Sequence, residues 1–229
     1  MSKQNTLNAS EHPARQPGSV VILAAGDFPR SEHVLRLLDE ADLVACCDSA
    51  AAALVKTGRE PGLIVGDLDS IPDEIKALYA DRIVRCAGQD DNDLTKTFHE
   101  VIKLKPSVIH ILGATGLRED HTLGNISLLA EYIREIELAG LNCEIDMVSD
   151  YGRFVAATAT RTFGSIPGQE ISIFAFDNSL RMTAEGLEYP LDGVTFDTLW
   201  KATLNRAAKD SFTLTLNHPA PYLVYLCNL

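Results

Sequence analysis

The chain has 229 residues, with 32 Asp and Glu against 20 Lys and Arg, giving a formal net charge of −12 and an isoelectric point near 4.9. That acidity argues against extended polyanions as partners, which sets aside nucleic acid and anionic membrane surfaces. At 46% hydrophobic and 23% charged residues the composition is that of a globular protein, long enough for one large domain or two small ones.

Residues 1–18 are polar, contain two prolines and lack an apolar core, so they read as a flexible tail rather than a signal peptide. From residue 19 to about 148, short apolar runs (SVVILAAG, ADLVACC, GLIVGD, RIVRC, SVIHILG, CEIDMVS) alternate with helical patterns such as SEHVLRLLDE, TKTFHEVIKL and ISLLAEYIREIELAG. Alternation of this kind predicts a parallel α/β sheet, and the near-continuous apolar runs predict strands covered on both faces. Ala50–Lys56 followed by Gly58 predicts a helix with a glycine stop. After Ser149 the texture turns β-branched and aromatic (RFVAATATRTF, QEISIFAF, DSFTLTLNHPAPYLVYL), which predicts an antiparallel sandwich or small barrel over residues 149–229. Trp200, Tyr189 and the other aromatics of this half read as β core.

The five cysteines, at 46, 47, 86, 143 and 227, have no metal-finger spacing and suggest no disulfide framework, so a reduced, cytoplasmic protein is expected. No apolar run approaches the roughly eighteen residues of a membrane span. The six histidines are scattered, without metal-ligand spacing.

The densest chemical signal is GDLDS at 66–70, directly after an apolar run. In an extended segment residues two apart point to one side, so Asp67 and Asp69 can present two carboxylates to one point; the plainer alternative is a solvated turn in which Asp69 or Ser70 caps the next helix. DDNDLTK at 90–96 places Asp90, Asp93 and Lys96 along one face at a helix start, although acids are also favourable there against the helix dipole. GATGLREDHTLGN at 113–125 offers glycines, a helix N-terminus and Arg118, which suit phosphate oxygens, without the spacing of either standard nucleotide motif. Asp48 and the AAGDFP segment at 24–29 end two further apolar runs. Hard oxygen donors without paired His or Cys favour Mg²⁺ over zinc. Acids at strand ends equally suit a metal-dependent phosphoesterase, and a site that binds nucleotide without turnover is a non-enzymatic alternative.

As a set, CDSAAAAL (47–54), GDLDS (66–70), DDNDLTK (90–96), LREDHTLGN (117–125) and GLEYPL (186–191) resemble the thiamine pyrophosphokinase family. The resemblance implies a Rossmann-like α/β domain over 19–148 that binds ATP and Mg²⁺, a β-sandwich over 149–229 that binds thiamine, and a homodimer with active sites at the subunit interface. It implies Mg²⁺-dependent transfer of pyrophosphate from ATP to thiamine, giving thiamine diphosphate and AMP. Carried over by motif, Asp67 and Asp69 would hold the metal with Asp93 or Asp120, and Asp48 would lie beside the reacting groups. Lys96, Arg118, His121, Gly113 and Asn125 would serve ATP; Thr203, Asn205 and Asp48 would serve thiamine. Two departures stand out: Leu204 precedes Asn205 where the family often has Ser, and Asn92 precedes Asp93 where Thr is common.

Overall fold

The computed structural model describes residues 17–86, 88 and 91–228; most of the expected tail and Asp90 lie outside the described residues. Six apolar runs form parallel strands: β1 (Ser19–Leu23), β2 (Leu43–Cys47), β3 (Leu63–Gly66), β4 (Ile83–Arg85), β5 (Val108–Leu112) and β6 (Glu144–Ser149). Between them lie α1 (Glu32–Glu40), α2 (Ala50–Lys56), α3 (Asp73–Leu78), α4 (Asp93–Ile102) and α5 (Glu119–Leu138). The strands read as continuous apolar runs because both faces are covered. Val20 and Ile22 of β1 face a core with Phe98 of α4 and Tyr132 of α5, whereas Val21 and Leu23 face Val34 of α1 and Leu54 of α2. Gly58, at φ +79°, follows the Thr57 cap of α2, as the glycine stop requires.

The C-terminal half contributes β7 (Gly152–Ala157), β8 (Arg161–Gly164), β9 (Glu170–Ala175), β10 (Met182–Glu185), β11 (Ala202–Arg206), β12 (Ser211–Leu216) and β13 (Tyr222–Cys227). A two-layer packing does form there, around a core that includes Phe163, Phe212, Tyr222 and Val224. One of its layers, however, is not separate from the α/β half. Strand β7 folds back on β6 through a tight turn, and among the described residues a single ten-stranded sheet runs β11-β9-β13-β7-β6-β5-β1-β2-β3-β4. The second layer is the three-stranded antiparallel sheet β10-β12-β8. Alternation within a strand shows that it has a buried face, but not which strand it pairs with, so this continuity was not readable from periodicity.

The expectation that Trp200 and Tyr189 are β core is corrected: they are 68% and 57% exposed. Both lie in loop segments outside the strands, where aromatic character does not by itself bury a side chain.

Candidate active site

Chain order departs from spatial order at β1, which has β2 on one side and β5 on the other. Segments leaving the carboxyl ends of neighbouring strands on either side of such a point diverge and leave a crevice. Here the crevice is a cleft of about 580 Å³, walled by Ala24–Gly26 after β1, Cys47–Ser49 after β2, Asp67 after β3, Asn92, Asp93 and Lys96 at the start of α4, and residues 114–125 after β5.

Asp48 forms the floor. It is 4% exposed and its φ of +28° departs from the usual backbone regions, a conformation that Asp tolerates better than most side chains. Gly66 permits this placement, because a Cβ there would stand 2.8 Å from the Asp48 Cβ. Carboxylate oxygens of Asp48, Asp67 and Asp69 lie within 4.8 Å of one another. The convergence of Asp67 and Asp69 does not come from an extended segment. Leu68 sits at φ +71° and the Asp69 N–H donates to Asp67 Oδ1 at 3.2 Å, so a turn brings the two acids together.

Burial pushes the Asp48 carboxyl above its ordinary value, reinforced by the charges of Asp93, Asp67 and Asp69 and opposed by a backbone hydrogen bond from Ser70. Its Oδ1 is buried with no hydrogen-bond partner. An orphaned, charged oxygen facing two further carboxylates is unfavourable unless a cation completes it. Three carboxylate oxygens within 4.8 Å of one another are close enough to share one small divalent cation. The donors are all hard oxygens, so the residues fit such an ion.

The cationic side of the cleft is supplied by α4 and the loop before α5. Lys96 Nζ lies 3.1 Å from Asp93 Oδ1, with only 10% of its side chain exposed. Asn92 caps α4 by accepting from the Thr95 N–H at 2.8 Å, so the departure from Thr at this position leaves the helix start and Asp93 in place. Arg118 grips Asp120 through two bonds, 3.1 Å from Nε and 2.6 Å from Nη2, and holds that carboxyl down at about 2. Asp120 therefore stands with Arg118, outside the group formed by Asp48, Asp67 and Asp69. His121 lines the same wall. Asn125 also lines it, and its Nδ2 donates to the Ala114 carbonyl at 2.7 Å, fixing the loop after β5. Gly113 lies beneath: its carbonyl accepts from the Gly26 N–H at 2.6 Å, and its φ is +63°.

Two expected residues are far from this cleft. Thr203 and Asn205 are on β11, seven strands away from β2, which at about 4.8 Å per strand is roughly 30 Å. Asn205 is buried and clamps the GLEYPL segment: its Nδ2 donates to the Tyr189 carbonyl at 2.8 Å and its Oδ1 accepts from the Tyr189 N–H at 3.2 Å. The Thr203 hydroxyl donates to the Trp200 carbonyl at 2.8 Å. Cleft residues that sequence reasoning missed are Ser49, Asp91, Thr115 and Thr122. Each lies inside a motif quoted above, so the polar positions between the acids and glycines of those motifs were the usable signal.

A mixed sheet with an acid-floored crevice at its switch point, walled on one side by Lys96 and Arg118, places the chain among α/β proteins with a site at the carboxyl ends of the strands. Comparison with known proteins makes this specific. Residues 34–139 match the family model "Thiamin pyrophosphokinase, catalytic domain", and residues 152–225 match "Thiamin pyrophosphokinase, substrate-binding domain". The thiamine pyrophosphokinase of Bacillus subtilis is 28% identical over 183 residues, 76% of this chain and 82% of that protein. Thiamine pyrophosphokinase 1 of Oryza sativa is 30% identical over 135 residues, 48% of this chain and 51% of that one. A crystal structure of thiamine pyrophosphokinase from Bacillus subtilis shares the fold at a TM-score of 0.75, with 22% identity and coverage of 92% and 100% of the two chains. Thiamin pyrophosphokinase from Candida albicans does so at 0.76, with 16% identity and coverage of 91% and 89%. The chain belongs to the thiamin pyrophosphokinase family of enzymes.

Proposed function

We propose that this chain transfers the diphosphate group of ATP to the hydroxyl of thiamine, with Mg²⁺ as cofactor. The hydroxyl oxygen attacks the β-phosphorus, the bond from that phosphorus to the bridging α–β oxygen breaks, AMP leaves, and the hydroxyl proton passes to a rim carboxylate and then to water. The observation that carries this reading is the convergence of Asp48, Asp67 and Asp69, with one buried oxygen unpartnered, on a cleft whose other wall presents Lys96 and Arg118.

Asp48, Asp67 and Asp69 would hold the metal, with Asp93 close enough to raise the Asp48 carboxyl. When bound, Mg²⁺ supplies charge neutralisation and alignment of the phosphate oxygens. Lys96 and Arg118 meet the triphosphate, Arg118 exchanging one of its Asp120 contacts for a phosphate oxygen. Phosphoryl transfer of this kind depends mainly on positioning and electrostatic stabilisation, which a wall of fixed loops and one buried Lys provides. An acidic floor also tolerates the cationic ring of thiamine.

Thiamine contacts from Thr203 or its neighbours on β11 require a second subunit, since in one chain they are about 30 Å from the cleft. An apolar face supports the homodimer: Phe154, Phe174, Phe176 and Leu199 meet Leu123 and Ile126 of α5 around a small pocket, with Phe176, Leu199 and Leu123 exposed. We place the reaction in the cytoplasm, supported by five cysteines that form no disulfide; no helix among the described residues is long and apolar enough to cross a membrane.

The test is AMP formation from ATP, thiamine and Mg²⁺. Asp67→Ala should lower it by about 100-fold or more, and near-normal AMP from that variant would overturn the metal assignment. The family match does not favour a phosphoesterase or a binding module without turnover.

A further inference from the structure

The cleft wall after β1 is a backbone wall. Ala24, Ala25 and Gly26 line it, and its inner edge is held by the Gly26 N–H to the Gly113 carbonyl and the Asp27 N–H to the Thr115 carbonyl, at 2.6 and 2.8 Å. Its outer edge runs through Phe28 and Pro29 to α1, whose N-cap residue Ser31 makes no capping bond with its own side chain. The two residues that lead into the helix are held instead by Asp150, in the tight turn between β6 and β7. Asp150 Oδ1 accepts from the Ser31 hydroxyl at 2.7 Å and the Ser31 N–H at 3.0 Å, and its Oδ2 accepts from the Arg30 N–H at 3.0 Å. The Arg30 guanidinium turns back to Asp27 Oδ1 at 2.9 Å, closing a short circuit around the wall.

The same turn is fastened from the other side. Asn228 Nδ2 donates to the Asp150 carbonyl at 3.0 Å and lies 3.0 Å from His33 Nε2, while the Asn228 N–H donates to the Tyr151 carbonyl. Asp150 lies 119 residues from Ser31, and both lie outside the two matched family regions.

We propose that Asp150 is a positioning residue for the nucleotide: by holding Arg30 and Ser31 from the β6–β7 turn it fixes residues 24–27 at the distance from the loop after β5 that the triphosphate needs. The inference rests on the proposed use of this cleft for ATP. Misplacement of a binding wall by a fraction of an ångström raises the substrate concentration required without touching the reacting groups. Asp150 bonds the residues before α1 rather than the unpaired N–H groups of its first turn, so its loss leaves the helix itself intact, and stability and positioning are separable.

The experiment compares Asp150→Ala and Asp150→Asn with Asp177→Ala. Asp177 is a clamp of the same kind in the C-terminal layer, accepting from the Ser179 N–H and hydroxyl and from His218, and is absent from the cleft lining. Asp150→Ala should raise the KM for ATP about tenfold with kcat and the KM for thiamine within about twofold. Asp150→Asn, which keeps one carbonyl oxygen to accept from Arg30 and Ser31, should stay within about threefold of the native KM. Amide exchange at residues 26 and 27 should quicken about tenfold in Asp150→Ala and be unchanged in Asp177→Ala. Should Asp150→Ala fail to fold, Ser31→Ala removes only the hydroxyl bond and should raise the KM about threefold. Native KM and native exchange in the Asp150 or Ser31 variant would overturn the proposal, as would an equal KM rise in Asp177→Ala. A native enzyme that makes no AMP would refute the nucleotide reading instead, while the exchange comparison still decides whether Asp150 holds the wall.

Discussion

Replacing Asp48 by Asn should stabilise the metal-free protein and weaken the metal-bound one. Asn is the right probe because residue 48 sits at φ +28°, a backbone conformation that Asn tolerates better than Ala. In the absence of metal the native carboxylate is 4% exposed and leaves Oδ1 unpartnered beside two other acids. A buried unsatisfied group costs about 1–3 kcal/mol, and neutralising the charge should recover about 1 kcal/mol of it, or roughly 2–4 °C in Tm for a chain of this size. With Mg²⁺ at about a hundred times its dissociation constant the native protein gains about 2.7 kcal/mol, a gain that the Asp48→Asn variant should largely forfeit. The order of stability therefore reverses between chelator and Mg²⁺. The pH dependence has a definite sign. Because the folded carboxyl titrates above its ordinary value of 3.8, its favourable contribution is complete below that value and lost as pH rises through the higher folded one. In chelator, native stability should accordingly fall relative to Asp48→Asn as pH climbs from about 4 toward neutrality. Thermal unfolding of both proteins at matched concentration, with chelator and with Mg²⁺, tests this. A variant no more stable than native in chelator, or one with the full Mg²⁺ gain, would refute the reasoning.

Other perturbations probe the cleft and its supports. Gly26→Ala places a Cβ 2.4 Å from the Gly113 carbonyl oxygen and 2.7 Å from that of Thr115, so the wall must part; chemical denaturation should show a loss of about 1–3 kcal/mol, with AMP formation reduced at least about tenfold. Tyr132→Phe removes the buried 2.8 Å bond to the Thr95 hydroxyl that joins α5 to α4, and equilibrium unfolding should register about 1–2 kcal/mol. Lys96→Ala should raise the KM for ATP and leave that for thiamine unchanged in steady-state kinetics, since it removes a cation from the wall of the cleft proposed to take the triphosphate. Leu199→Asp, on the exposed apolar face, should convert a dimer to a monomer by light scattering and abolish turnover with it; a native protein that is monomeric at every concentration would contradict the dimer.

Much of this architecture was legible in the sequence because fully covered parallel strands must be apolar throughout. Runs such as SVVILAAG and SVIHILG announced β1 and β5, and acids or glycines at the strand ends announced the rim. Less legible was anything that depends on a partner across space. Asp48 reads as a helix start in sequence, and only the approach allowed by Gly66 makes it the floor of a three-carboxylate group. Strand alternation predicts the convergence of Asp67 and Asp69, but Leu68 in the left-handed region produces it. The resemblance implies Asp120 among the metal ligands, whereas the structure pairs it with Arg118 two residues earlier. Asn205 carries a thiamine expectation from its motif, but its amide is occupied with the backbone of Tyr189, a loop contact that residue type does not disclose. Aromatic residues in β-rich sequence are usually buried, which is the ground for expecting Trp200 and Tyr189 in the core; their place in loop segments exposes them.

The central claim is diphosphate transfer from ATP to thiamine at the Asp48, Asp67 and Asp69 cleft. Its most direct test is ³¹P NMR of a reaction containing the protein, ATP, thiamine and Mg²⁺. AMP and thiamine diphosphate are expected in equal amounts, both absent when thiamine is omitted. Inorganic phosphate or ADP accumulating at the same rate with and without thiamine would contradict it.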